Sequence, residues 1–238
     1  MIKILKYFIL FGFFAFSCSL FSQNERVENL PTFDKKKIHF GFYLGLNQND
    51  FKLNIKKNTF DVAPGNILVE PTTGFNVGMI VDLRLHKNLN LRFEPGLISN
   101  TKKIIFHYLD EPKDSIRDAS STFLHLPLVF KMSTDKYRNI RPYLLAGVSY
   151  DLNLSSNERN QDDNFAGEFR MKTHNFMYEL GIGIDIYLHY FKFSPSIRGV
   201  FATNNELKYD NVANGASQWT DPINFLGTRG LFLNFAFE

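Results

Sequence analysis

Eight segments of this chain place a large apolar residue at every second position, and few folds accept that pattern. In HFGFYLGLNQNDF (39–51) the even positions Phe40, Phe42, Leu44 and Leu46 are large and apolar, while His39, Gly41, Tyr43, Gly45 and Asn47 alternate with them. The pattern returns in GFNVGMIVDLRL (74–85), LNLRFEPGL (89–97), FLHLPLVFK (123–131), PYLLAGVSYDL (142–152), FMYELGIGIDIY (176–187), FKFSPSIRGVF (191–201) and RGLFLNFAFE (229–238). A period of two means strands with unlike faces. Each segment is about nine to twelve residues, the length a tilted strand needs to cross a bilayer. Such a sheet has two homes. Its apolar face packs into a soluble core, or it faces lipid around a closed barrel.

The connections separate the two. Turns 86–88 and 188–190 are tight and 132–141 is short, whereas 47–73, 98–122, 153–175 and 202–228 are long. Short and long alternate strictly. Outer-membrane barrels sort their loops this way, with tight turns on the periplasmic side and long loops outside, and a sandwich has no reason to. The final strand carries Leu231, Leu233, Phe235 and Phe237 in alternation, the aromatic-tipped ending common in such barrels. The expected fold is therefore all-β: an eight-stranded antiparallel transmembrane β-barrel, up-and-down, with both termini periplasmic. Phe40, Phe42, Leu44, Leu46, Leu231, Leu233, Phe235 and Phe237 are expected to face lipid. The glycines belong inside, where a tight barrel needs small residues beside large ones.

The other face carries charge in mid-strand: Asp82, Arg84, Arg92, Glu94, Glu179, Asp185, Lys192 and Arg198. An eight-stranded barrel is only wide enough for its own side chains. Buried charges persist when paired and hydrogen-bonded. These eight residues, four acids and four bases, are expected to form a polar plug rather than line a pore. Glu94 with Arg198 and Arg92 with Glu179 are both available pairings.

The N-terminus has the three parts of a secretory signal: Lys3 and Lys6, the apolar run YFILFGFFAF, and small residues in SCSLFSQ. Cleavage after Ser22 is expected, giving a signal at 1–22, a periplasmic segment at 23–36 and the barrel at 37–238. The alternative is a lipoprotein box at Ala15-Phe16-Ser17-Cys18, with Cys18 lipidated, although Phe sits awkwardly there. Cys18 is the single cysteine, so the exported chain would carry neither disulfides nor thiolate metal sites. Loss of Lys3 and Lys6 takes 27 Lys+Arg to 25 against 24 Asp+Glu, a near-neutral balance that argues against nucleic acid as partner.

Catalytic patterns are missing. His39 and His125 fall on interior positions, where a satisfied barrel histidine is the ordinary case; His86, His174 and His189 fall at turns or loop ends. No serine stands in a nucleophile context, and no phosphate loop, dinucleotide fingerprint or histidine–carboxylate metal spacing occurs. The acidic pairs Asp110-Glu111 and Asp162-Asp163 lie in loops, where solvation accounts for them. No enzyme, cofactor or small-molecule substrate is expected. The long loops hold apolar runs, Ile67-Leu68-Val69 and Ile104-Ile105-Phe106, which are either strands continuing above the membrane or a surface for another protein. Trp219 is the single tryptophan, an interface anchor or a partner contact.

HFGFYLGLNQNDFKL (39–53) resembles the first strand and following turn of the PorT family, called SprT in gliding Bacteroidetes, which are small outer-membrane proteins of the type IX secretion system. FLHLPLVFK (123–131) and PYLLAGVSYDL (142–152) are similar to segments shared across that barrel superfamily. The narrower likeness rests on Gly41, Phe42, Asn47, Asp50 and Phe51. The resemblance implies a non-enzymatic outer-membrane component needed for type IX protein export, and for gliding where it occurs. Its implied partners are outer-membrane lipids and other secretion components, including the large translocon. It supplies no catalytic residues.

Overall fold

The computed structural model describes residues 28–56, 65–109, 111–119, 121–211 and 215–238. The expected signal at 1–22, Cys18 and Asp110 lie outside the described residues.

Among the described residues there are twelve strands: β1 (Ile38–Ile55), β2 (Ile67–Pro71), β3 (Thr73–His86), β4 (Leu89–Phe93), β5 (Gly96–Asn100), β6 (Lys102–Phe106), β7 (Ile116–Asp118), β8 (Ser121–Ser133), β9 (Ile140–Asn153), β10 (His174–Tyr187), β11 (Lys192–Ala202) and β12 (Ile223–Phe237). The main sheet runs β1-β12-β11-β10-β9-β8-β4-β3, with β5 also pairing β3 and β8, and β1 pairs β3 to close the ring. All of these pairings are antiparallel. Closure matters because an open edge would leave unpaired backbone groups in hydrocarbon.

The single third strand expected at 89–97 is interrupted, so β4 and β5 together fill one of eight places. Two prolines are the cause: Pro95, opposite Met79 on β3, and Pro127 on β8, opposite Glu94, have no N–H to give the ladder. The Pro95 carbonyl still accepts from the Met79 N–H at 2.9 Å, and the Glu94 N–H reaches the Pro127 carbonyl at 3.3 Å, so the neighbours on both sides stay attached.

Alternation decides the two faces. On β1 the even positions Ile38 to Leu46 are exposed and the odd positions His39, Tyr43 and Asn47 are buried. The outward face then turns polar at Gln48, Asp50 and Lys52, while the strand continues to Ile55. Eighteen residues at ~3.4 Å each reach ~60 Å, twice a hydrocarbon core of ~30 Å, so β1 must project beyond the lipid even when tilted. The projecting ends of β1 and β12 meet a second sheet, β2-β6-β7, built from the first two long connections. The apolar runs at 67–69 and 104–106 thus form strands of their own, paired from Ile67↔Phe106 to Pro71↔Lys102.

Candidate functional site

The barrel interior is charged and closed. Arg92 on β4 is fully buried in it. Its Nε donates to Asp82 Oδ2 at 2.5 Å, its Nη1 to Glu94 Oε1 at 3.2 Å and its Nη2 to the Glu238 carboxylate. Lys192 Nζ lies 2.9 Å from the other Glu238 oxygen. Arg198 Nη1 reaches Glu94 Oε2 at 2.6 Å and stands 3.7 Å from Glu179. Lys131 Nζ donates to both Asp185 oxygens at 2.6 and 2.7 Å, and Ser194 Oγ adds a third bond to Asp185 at 2.7 Å. His125 sits between two acids, Nδ1 2.6 Å from Asp151 and Nε2 3.1 Å from Glu179. Charges this deep persist only because each meets an opposite charge or a donor.

Seven of the eight residues expected in the plug lie in this network: Asp82, Arg92, Glu94, Glu179, Asp185, Lys192 and Arg198. Arg84 does not. It is half-buried at the short-turn rim, where its guanidinium donates to the Asp34 and His86 carbonyl oxygens. Of the available pairings, Glu94 meets Arg198, while Arg92 takes Asp82, Glu94 and Glu238 instead of Glu179. Sequence reasoning passed over Lys131, His125, Asp151 and Glu238 as network members. The first three occupy inward positions of segments already recognised, so the period of two was the signal that marked them.

Glycines make room for the inward aromatics. A Cβ on Gly96 would lie 2.2 Å from the Tyr43 hydroxyl oxygen, and one on Gly183 would lie 2.4 Å from Tyr143 Cζ. The cavity left among Tyr43, Glu94, His125, Glu179 and Arg198 measures about 10 Å³, room for about one water.

The short-turn mouth is covered by the segment before β1. Phe33 stacks on His39 at 4.4 Å, and the Lys192 ammonium lies 4.8 Å over the same Phe33 ring. The Asp34 carboxylate accepts from the Tyr187 hydroxyl at 2.9 Å and stands 3.6 Å from Arg141. Asn29 is bound on both sides, its N–H to Asn139 Oδ1 and its Nδ2 to the Tyr187 carbonyl.

The opposite end carries a cap with its own core, including Phe51, Ile104, Phe106, Leu207, Trp219 and Ile223. Trp219 is neither a membrane anchor nor an exposed contact: it is buried there, with Nε1 donating to the Asp114 carbonyl at 2.9 Å and Arg117 over its ring at 4.8 Å. Asp163, expected to be solvated, is also buried; its carboxylate accepts from the Phe165 and Asn211 N–H groups at 3.1 and 3.0 Å. Lys102 is buried over the Phe51 ring at 3.8 Å and donates to Thr228 Oγ1 at 3.2 Å. Burial pushes the Lys102 ammonium down to about 8 and pushes the Glu206 carboxyl up. Glu206 holds Thr228 through its N–H and hydroxyl, both at 2.8 Å.

The residues of the narrower likeness are spread along β1. Gly41 is pressed against the Phe237 carbonyl, Phe42 stacks outside on Phe237 at 5.1 Å, and Asn47 accepts from Asn100 at 3.1 Å. Asp50 pairs with Arg229 at 2.6 Å, and Phe51 enters the cap core. They form no single pocket. Of the outward set, Phe40, Phe42, Leu44, Leu46, Leu231 and Leu233 are exposed, whereas Phe235 and Phe237 are half-buried by stacking on Phe193 and Phe42. Among the described residues no group of three or more His, Cys, Asp or Glu could hold a metal ion.

Three solved structures are similar to this chain at low identity. Neisserial surface protein A is 9% identical, with 84% of this chain and 98% of that chain covered and a TM-score of 0.45. OprG from Pseudomonas aeruginosa is 14% identical, with 84% and 93% covered and a TM-score of 0.42. AlkL, solved by solid-state NMR in lipid bilayers, is 13% identical, with 91% and 93% covered and a TM-score of 0.46. No curated protein matches the chain. The family model described as outer membrane protein beta-barrel domain matches residues 21–208. The chain belongs to that family, and its eight-stranded barrel is an outer-membrane protein.

Proposed function

We propose that this barrel is a non-enzymatic component of the type IX protein export machinery, with an accessory or assembly role, and is not the conduit. The termini and short turns then face the periplasm and the cap faces outward. The observation that carries the exclusion is the interior itself. Glu94 and Arg198 meet in mid-lumen and the cavity beside them measures about 10 Å³, so a polypeptide has no path. The assignment to export is supported by the resemblance at 39–53. Other secretion components, including the large translocon, are the partners this reading names, reached through the cap or the lipid face.

Secretion by a deletion strain tests it, comparing culture supernatant with cell-retained protein by mass spectrometry. Proteins with type IX C-terminal domains should accumulate inside and return to the medium on complementation. An unchanged secreted set sinks the export assignment. The second reading is a surface barrel for adhesion or envelope integrity, favoured by the ordered cap with its own core. It would be preferred if deletion spared secretion but weakened attachment or detergent resistance.

A further inference from the structure

Two hollows lie on the same strands of the barrel, one polar and one apolar. The polar cleft holds about 540 Å³, open to solvent, where the cap leaves β9 and β10, and its lining includes Glu158, Arg159, Thr173, His174 and Lys208. The Tyr150 hydroxyl lies 2.5 Å from His174 Nδ1 and fixes the ring at the wall of the cleft. Glu158 offsets part of the positive charge, but its Oε2 is occupied by the Thr173 N–H at 2.8 Å. Arg159 and Lys208 supply two full positive charges at the rim of the cleft.

The apolar furrow holds about 440 Å³ and is floored by the small residues Ala146 and Gly199 between Leu144, Leu180, Ile182 and Ile197. His174 shares the exposed face of β10 with Phe176, Tyr178, Leu180 and Ile182. From His174 to Leu180 is six residues, ~20 Å of strand. At a tilt of about 40° that descends ~15 Å, the depth of one leaflet. The furrow therefore lies where the acyl chain of a lipid headed in the cleft would end.

We propose that the cleft and furrow together form a binding site for a phosphorylated glycolipid of the outer leaflet, its phosphate held by Arg159, Lys208 and His174 and one acyl chain laid across Ala146 and Gly199. The site rests on the outward orientation of the cap given above. It supplies no chemistry; it fixes a lipid against the barrel wall.

Native mass spectrometry of the full-length protein tests this with added lipid A carrying two phosphates, lipid A carrying none, and phosphatidylglycerol. The wild type should retain the bisphosphorylated lipid. Arg159→Ser/Lys208→Ser should bind it at least about tenfold more weakly, the loss of a charge-assisted contact or two. Ala146→Leu, which fills the furrow without touching the cleft, should weaken it severalfold, and millimolar inorganic phosphate should not displace it. Heat-modifiable gel migration checks that each variant is folded. Equal retention by the double variant, equal retention of the phosphate-free lipid, or displacement by inorganic phosphate overturns the proposal. Retention of phosphatidylglycerol alone, lost in the double variant, overturns the glycolipid and the outward orientation together while leaving the cleft a lipid site.

Discussion

Arg198 on β11 and Glu94 after β4 meet at 2.6 Å across the full width of the barrel. Four steps separate their strands in either direction around the ring of eight. A contact between diametrically opposed walls means that the lumen is spanned by side chains. Glu94 also takes Arg92, so the bridge is part of a continuous chain of charges from Arg198 to Asp82 and Glu238.

Breaking this bridge from one side should be costly. Arg198→Ala leaves Glu94 and Glu179 short of a cation in a buried site, and a loss of roughly 3–5 kcal/mol is expected. Urea unfolding in lipid vesicles, followed by Trp219 fluorescence, gives the number. Replacing both partners, Glu94→Leu with Arg198→Met, should recover most of the loss. A double variant no better than the single would mean the bridge is not the reason for the cost.

Gly96 should not accept a side chain. A methyl group there would lie 2.2 Å from the Tyr43 oxygen, so Gly96→Ala is expected to lose about 1–3 kcal/mol by overpacking. Adding Tyr43→Ala removes this clash but leaves the 2.7 Å approach to the Val77 carbonyl, so it should make the Gly96→Ala change cheaper without making it neutral, read as a coupling in a double-mutant cycle. Simple additivity would place the strain elsewhere.

The cap should become more stable as pH rises from about 8 to 10.5. Lys102 moves from an ordinary 10.5 to about 8 in the folded protein. In that window the unfolded chain holds the proton that the folded chain has released, so raising pH favours the fold, and below about 8 the burial cost is present in full. Trp219 fluorescence reports on this region directly, because the single tryptophan lies in the cap core. Lys102→Met should remove this part of the slope; the same slope in both proteins would contradict it.

Asp34 should hold the segment across the short-turn mouth. Asp34→Ala removes the acceptor for the Tyr187 hydroxyl and the partner of Arg141. The exposed run Lys35-Lys36-Lys37 beside it is a trypsin target. Cleavage there should speed up about tenfold, as expected for a lost hydrogen bond to a charged group. An unchanged rate would leave the anchoring to Phe33 and Asn29.

The ring and its two faces were legible because one period runs through all eight segments, and lipid rewards it on every strand. Lys131 and Asp151 were equally legible, being inward by the same count. Arg84 is also inward by count, but it sits at the rim, where Asp34 draws it to the N-terminal segment. Parity gives a face and says nothing of depth. The cap was illegible for another reason. β2 and β6 come from different connections, and their pairing is a tertiary choice that neither short apolar run encodes alone. The break in the third strand went unread, because 89–97 reads as one segment although Pro95 lies inside it, and Pro127, which removes the other N–H, lies on the neighbouring strand.

The most direct measurement is conductance of the purified full-length protein in planar bilayers. A lumen spanned by Glu94 and Arg198, with about 10 Å³ of space beside them, predicts a baseline without stable open steps. Persistent ohmic steps of porin size would contradict the closed interior, and with it the reading that this barrel serves export without being the path.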